Sequence, residues 1–321
     1  MKTVKNYIAV AGILFATSIG FAQEDMKDDE KVDEPIQEQS NVQQYTPSKL
    51  LGKGQWDIKF FNGLYTQTKQ TDGGSTAQDI ARQNFFTNTT EIYTGVSDNS
   101  RINIGLIFQV RANTYNGAKA TSVFSFEDNA TDARSGLTTI APSIRVQPFK
   151  NIGNFSFTSS LYLPLFKDVP NAPYLDKRST FWETKFFYDK TFGGNKWQLF
   201  TEADLGFNFG EKRSEADVTT ANIGERFANN SLAIPLSVFL SYFPSSKSTI
   251  FINGQQNFFI GYDNPNSGGE NFSQDYTALG FGGKYQLTNA LNVELSYNKF
   301  VRGSNFQGLG QTFSLGLRAI L

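Results

Sequence analysis

The sequence predicts an all-β chain closed into a single transmembrane antiparallel β-barrel of 12 strands, with short periplasmic turns and long extracellular loops. Three observations carry this. From Gly54 onward apolar residues recur with period 2 rather than 3.6. The periodic segments are long: Arg101 to Asn113 alternates over 13 residues, whereas strands in soluble sheets usually run about 5–6 and a tilted membrane-crossing strand needs about 9–11. The connections then alternate short and long along the chain, as in a barrel whose termini share one side of the membrane.

Composition agrees and excludes other classes. The 321 residues include 31 Phe, 13 Tyr and 3 Trp, but no Cys and no His. Disulfide frameworks, thiolate nucleophiles, Ser-His-Asp triads and imidazole metal sites are therefore excluded. Lys and Arg number 29 against 30 Asp and Glu, which gives no surplus for binding nucleic acid. Aromatics at 15% are too many for a disordered chain.

The N-terminus comes first. Lys2 and Lys5 precede an apolar stretch from Tyr7 to Phe21, and Gly20 and Ala22 supply small residues at a cleavage site. Residues 1–22 thus read as a signal peptide. Residues 23–53 read as an acidic, disordered periplasmic leader. Within it Glu24, Asp25, Asp28, Asp29, Glu30, Asp33, Glu34 and Glu38 stand against Lys27 and Lys31, a net −6 over 23–38. The run is either a solvated leader or a docking segment for a basic partner.

Twelve segments follow in the barrel region 54–321: 55–66, 84–97, 101–113, 136–149, 154–166, 179–192, 196–210, 230–243, 248–263, 275–287, 291–302 and 311–321. On the third, Ile102, Ile104, Leu106, Phe108, Val110 and Ala112 share one face, with Ile107 out of phase. Leu199, Ala203, Leu205, Phe207 and Phe209 repeat the pattern, as do Leu232, Ile234, Leu236, Val238 and Leu240, and finally Phe313, Leu315, Leu317, Ala319 and Leu321. Short turns are expected at 98–100, 150–153, 193–195, 244–247 and 288–290, and long loops at 67–83, 114–135, 167–178, 211–229, 264–274 and 303–310. Aromatics near segment ends, including Trp56, Phe149, Phe155, Trp182, Phe192, Trp197, Phe209, Tyr242 and Tyr285, suit belts at two lipid–water interfaces.

The stretch Thr46 to Lys69 (TPSKLLGKGQWDIKFFNGLYTQTK) resembles the opening of outer-membrane β-barrel proteins of the Bacteroidota that are labelled as transporters. The resemblance covers the signal, the leader and the first strand. It implies a location in the cell outer membrane and a transport role, and assigns no residue a chemical task.

If the apolar face meets lipid, the other faces the lumen, because Arg or Lys at mid-membrane costs about 2–4 kcal/mol. Inward candidates with charge are Asp57, Lys59, Glu91, Arg101, Arg111, Arg145, Glu183, Lys185, Asp189, Glu202, Asp204, Lys284, Glu294 and Arg318. Of these, Lys59, Glu91, Arg111, Arg145, Glu183, Lys185, Glu202 and Asp204 are the pore-lining candidates. They either set a transverse field across a narrow pore or pair into a network that fills the barrel, and 12 strands lie between a packed interior and an open channel. Phe61, Tyr65, Tyr93, Tyr162, Phe187 and Phe200 are inward aromatics.

No enzyme is expected. Glu202 and Asp204 share a strand face as an acid pair, but two lumen acids paired with Arg or Lys explain them better. Asp128-Asn129 and Asp263-Asn264 match no calcium-loop spacing, and Gly280, Gly282, Gly283, Gly303, Gly308 and Gly310 match no nucleotide loop; strand bending or close packing suits them better. No cofactor is implied. The expected partners are outer-membrane lipid, a small polar solute and an outer-membrane or periplasmic protein. Two functions follow: a narrow porin-like channel for small polar solutes, or a closed barrel serving as a structural or accessory subunit of an outer-membrane complex.

Overall fold

A computed structural model describes residues 48–129, 131–166, 174–176, 179–210, 230–261 and 272–321. The signal stretch, the acidic run 23–38 and Asp263-Asn264 lie outside these residues. Twelve strands are present among them: β1 Trp56–Thr71, β2 Ala77–Gly95, β3 Ile102–Thr114, β4 Ala133–Val146, β5 Phe155–Pro164, β6 Thr180–Phe192, β7 Trp197–Phe209, β8 Ser231–Ser245, β9 Ser248–Gly261, β10 Phe272–Gln286, β11 Leu291–Ser304 and β12 Gln311–Ile320. Each pairs antiparallel with its sequence neighbours, and β1 with β12 closes the barrel. Closure leaves no edge strand with unpaired backbone groups.

The outward face is apolar. Phe60, Ile104, Ile250, Ile252, Leu279, Phe281, Leu295, Phe313 and Leu315 are all exposed. Trp56, Phe149, Phe192, Trp197, Tyr242 and Tyr285 are exposed toward the short-turn rim, and Trp182 and Phe209 toward the long-loop rim. Trp197 packs on Tyr242 at 4.8 Å, and Trp182 stacks on Phe207 at 5.9 Å.

Three boundaries differ from the sequence reading. The expected loop 67–83 is mostly strand, since β1 and β2 pair out to Thr71 and Ala77. Gln67, Gln70, Gln78 and Asp79 are polar on both faces, so backbone pairing continues where the hydropathy alternation stops. The fourth strand begins earlier, since Ala133, Arg134 and Ser135 pair with Thr114, Asn113 and Ala112, and it carries a bulge: Gln109 pairs with Thr139 and Val110 with Leu137, which leaves Thr138 as the extra residue. Its Oγ1 donates to the Gln109 carbonyl at 3.1 Å, and the bulge resets which residues of β4 face inward. Finally, residues 48–53, read as part of a disordered leader, are placed against the barrel, with Ser48, Leu50 and Leu51 buried.

The loop after β3 turns outward. A short 3₁₀ turn, Ala120–Ser125, lays Val123 over outward-facing Leu64, Phe86 and Ala112. Beside it, outward polar residues are covered: Thr66 Oγ1 donates to Asn84 Oδ1 at 2.7 Å, and Asn84 Nδ2 to Thr114 Oγ1 at 2.9 Å.

Inside, glycines make room for rings. A Cβ on Gly105 would stand 2.4 Å from the Tyr93 ring, and equally close contacts hold for Gly206 with Phe181, Gly282 with Phe251 and Gly316 with Phe61. The rings therefore lie flat over the neighbouring strand instead of filling the lumen. This is the close packing expected for Gly282, and three further glycines share it.

Candidate functional site: the charged lumen

Strand register brings inward charges to one level of the barrel. Lys59 of β1 lies opposite Glu91 of β2 and Arg318 of β12, while Lys185 of β6 lies opposite Asp204 of β7. Together with polar and aromatic residues they surround a cavity of about 310 Å³, lined by Lys59, Glu91, Arg145, Lys185, Glu202, Lys284, Glu294 and Arg318 among others.

The wall formed by β1, β2, β4 and β12 is tightly paired. Asp57 Oδ1 accepts from Arg318 Nε at 2.8 Å, and Oδ2 from Arg318 Nη2 at 3.0 Å and Arg145 Nη1 at 3.2 Å. Arg145 Nη2 also donates to Glu91 Oε2 at 2.7 Å, and Lys59 Nζ reaches the same oxygen at 3.2 Å. The Arg145 guanidinium lies 3.4 Å from the Tyr93 ring centre, a cation–π contact. The Tyr93 hydroxyl meets Ser143 Oγ at 2.7 Å, and Ser143 meets Ser160 Oγ at 2.6 Å. Three bases face two acids here, and the Asp57 side chain is 1% exposed.

The β6–β7 wall is built differently. Lys185 Nζ lies 2.9 Å from Asp204 Oδ2, 3.1 Å from Glu202 Oε1 and 3.7 Å from Glu183 Oε1. Tyr162 donates to Glu183 Oε2 at 3.1 Å. Three carboxylates thus share one ammonium, and Asp204 Oδ1 is buried with no hydrogen-bond partner among the described residues. Between the walls, Lys284 and Glu294 pair at 2.9 Å.

The pore-lining candidates divide accordingly. Lys59, Glu91, Arg145, Lys185 and Glu202 line the cavity; Glu183 and Asp204 stand behind Lys185. Arg111 lies apart, nearer the long-loop mouth, where its Nε meets Asp176 at 3.1 Å. Arg101 precedes β3 and donates to the Gln147 carbonyl at 3.0 Å. Asp189 accepts from Gln198 Nε2 at 3.1 Å. Asp128 binds Arg134 Nε at 2.7 Å, and Asn129 Oδ1 accepts from the backbone of Thr131, Asp132 and Ala133. That pair is engaged in turn chemistry.

Lumenal rings were partly missed by the sequence reading. Phe239, Phe243 and Phe251 join Phe61, Tyr93, Tyr162, Phe187 and Phe200 on the cavity lining. Phe187, Phe200, Phe239 and Phe251 form an arc with successive centroid separations of 6.0, 5.7 and 5.7 Å. Phe239 and Phe251 alternate with outward Val238 and Leu240, and with Ile250 and Ile252, but each sits in a continuous apolar run that hides the parity. Ile107, out of phase in sequence, packs inward with Ala141, Tyr162 and Phe181.

Both mouths are narrowed. At the short-turn mouth Leu51 packs on inward Tyr93 and Ile320. Its backbone exchanges hydrogen bonds with the Asn103 side chain at 3.0 and 3.2 Å, and Gln147 Nε2 holds the Ser48 carbonyl at 2.8 Å. At the long-loop mouth Asn113 Nδ2 binds the Tyr174 and Leu175 carbonyls at 2.7 and 2.9 Å. Tyr276, Phe300, Tyr65, Phe85 and Tyr115 form a chain of ring contacts there.

A closed antiparallel barrel with an apolar exterior, aromatic girdles and a charged lumen is the fold of an outer-membrane β-barrel. No family model matches the chain, and no curated protein matches it in sequence. Among solved structures it is similar to an outer-membrane channel from Pseudomonas putida, with a TM-score of 0.63 and 11% identity, covering 91% of this chain and 100% of that one. Looser likenesses are the β domain of the Bordetella autotransporter BrkA (TM-score 0.47, 12% identity, 82% and 98% covered) and the translocator domain of NalP from Neisseria meningitidis (TM-score 0.43, 11% identity, 84% and 89% covered).

Proposed function

We propose that this protein is a narrow outer-membrane channel for small polar solutes, with its short turns and both termini in the periplasm. One observation carries the reading: the barrel keeps a cavity of about 310 Å³ at the level of its lumenal charges. A barrel serving only as a rigid stave has no need of one, because interiors otherwise pack to near-crystalline density. Glycines that let lumenal rings lie flat maintain this space. Similarity to an outer-membrane channel supports the same reading. The charges exclude apolar solutes by desolvation, and Ser48–Gln55 with residues 174–176 limits the solute to a small one.

The constricted mouths favour a second reading, a closed barrel that acts as a subunit of an outer-membrane complex. Single-channel recording of the protein refolded into a planar bilayer separates the two. Discrete ohmic steps are expected for the channel; a silent bilayer with the barrel folded overturns it in favour of the subunit.

A further inference from the structure

The two charged walls differ in sign, and that difference names a class of solute. On one side Lys59, Arg145 and Arg318 outnumber Asp57 and Glu91. On the other Glu183, Glu202 and Asp204 outnumber Lys185. Counted formally, with every group ionised, the first wall carries a surplus of +1 and the second of −2, from the residues just named. Lys59, Glu91, Arg145 and Arg318 of the first wall and Lys185 and Glu202 of the second line the same cavity, and Asp57, Glu183 and Asp204 stand behind them. Resting on the channel reading, we propose that the cavity is a subsite for small zwitterions: solutes with a carboxylate at the Lys59 wall and an ammonium at the Glu202 wall.

Three features support the ammonium side. Asp204 is 3% exposed, yet its Oδ1 has no hydrogen-bond partner among the described residues. Asp204 stands behind Lys185 and off the cavity lining, so it adds to the acidic character of this wall rather than touching the solute. The carboxylates crowd one Lys185, so a second cation relieves repulsion that Lys185 alone does not. The ring arc begins beside them, since Phe187 lies opposite Glu202 in register, and aromatic faces attract ammonium groups.

The cavity's size fits the same class. About 310 Å³ is at the lower end of ligand pockets, which run from about 300 to 1,000 Å³. A simple cation or anion is attracted by one wall and repelled by the other. A neutral polyol must desolvate against charges it cannot match. A zwitterion meets both walls with complementary charge, and the low dielectric of the barrel interior strengthens each contact.

Proteoliposome flux tests this. The folded protein is compared for entry of glycine, β-alanine and γ-aminobutyrate against glycerol and erythritol. At least one zwitterion should enter about tenfold faster than a polyol of similar size, the factor that one charge-assisted hydrogen bond supplies. Glu202→Gln and Lys59→Gln, one on each wall, should each remove most of that advantage while polyol entry persists. Asp79→Asn, whose exposed carboxylate meets Lys69 at 3.8 Å, should retain it. Folding is checked by the heat-dependent gel shift of barrels, and either wall variant suffices if the other does not fold. Polyol entry with no zwitterion advantage, or an advantage that survives both substitutions, overturns the subsite and leaves the channel standing. Exclusion of every solute overturns both.

Discussion

The two charged walls of the lumen are both built of paired acids and bases and do different jobs. On the β1–β2–β4–β12 wall Asp57 accepts three hydrogen bonds from two guanidinium groups and is 1% exposed at its side chain. That wall is a strut. On the β6–β7 wall the acids exceed the bases, and a buried oxygen of Asp204 lacks a donor among the described residues. That wall leaves its acids less fully paired, which is what the proposed subsite uses. The choice between a salt-bridge network and a polarised pore is therefore not a choice for the whole lumen. Saturation of hydrogen bonds, rather than the number of charges, separates structure from site.

The largest expected effect attacks the strut. Asp57→Ala takes from Arg145 and Arg318 the buried carboxylate they share, leaving Arg145 its bond to Glu91, and removing one partner of a buried pair costs about 3–5 kcal/mol. The temperature at which the folded gel band disappears should fall sharply. Glu202→Gln should shift it far less, because Glu183 and Asp204 still hold Lys185. Equal shifts would erase the comparison.

Next comes the seal beneath the strut. Deleting residues 48–52 removes Leu51 from Tyr93 and Ile320 and should raise single-channel conductance several-fold. β1 starts only at Trp56, so the barrel still closes. Unchanged conductance would show that this segment does not restrict the pathway.

A smaller effect tests ring placement. In Gly316→Ala the new Cβ would stand 2.4 Å from the Phe61 ring, with only ring atoms among its nearest neighbours. The ring must swing into the cavity. Conductance should drop, at a stability cost of about 1–3 kcal/mol, as for other overpacked sites. The smallest effect lies on the rim. Asp98→Asn breaks an exposed pair with Lys53, and the melting temperature should hardly move, since such pairs contribute about 0–1 kcal/mol.

Most of the barrel was legible in the sequence because a strand with one face to lipid and one to the lumen writes its geometry as period 2. The segments from β5 to β12 lie within a few residues of their predicted positions. The extended β1–β2 hairpin was not legible, because polar residues on both faces leave no alternation. Nor was the docking of Leu51, whose partners Tyr93, Asn103 and Ile320 are scattered along the chain. The site was half legible. Parity placed Lys59, Arg145, Lys185 and Glu202 in the lumen, but pairing could not be read from spacing, since Asp57 meets Arg145 and Arg318 from 88 and 261 residues away. Phe251 was hidden in the continuous apolar run with Ile250 and Ile252, where period 2 carries no contrast.

Reversal potential in a potassium chloride gradient tests the central claim most directly, with the wild type measured beside Glu202→Lys and Lys59→Glu. A less fully paired acidic wall within the pathway predicts that Glu202→Lys moves selectivity toward anions and that Lys59→Glu moves it toward cations, while the wild type conducts in discrete steps. Conducting variants whose reversal potentials match the wild type would contradict it, because the two walls would then lie off the path that ions take.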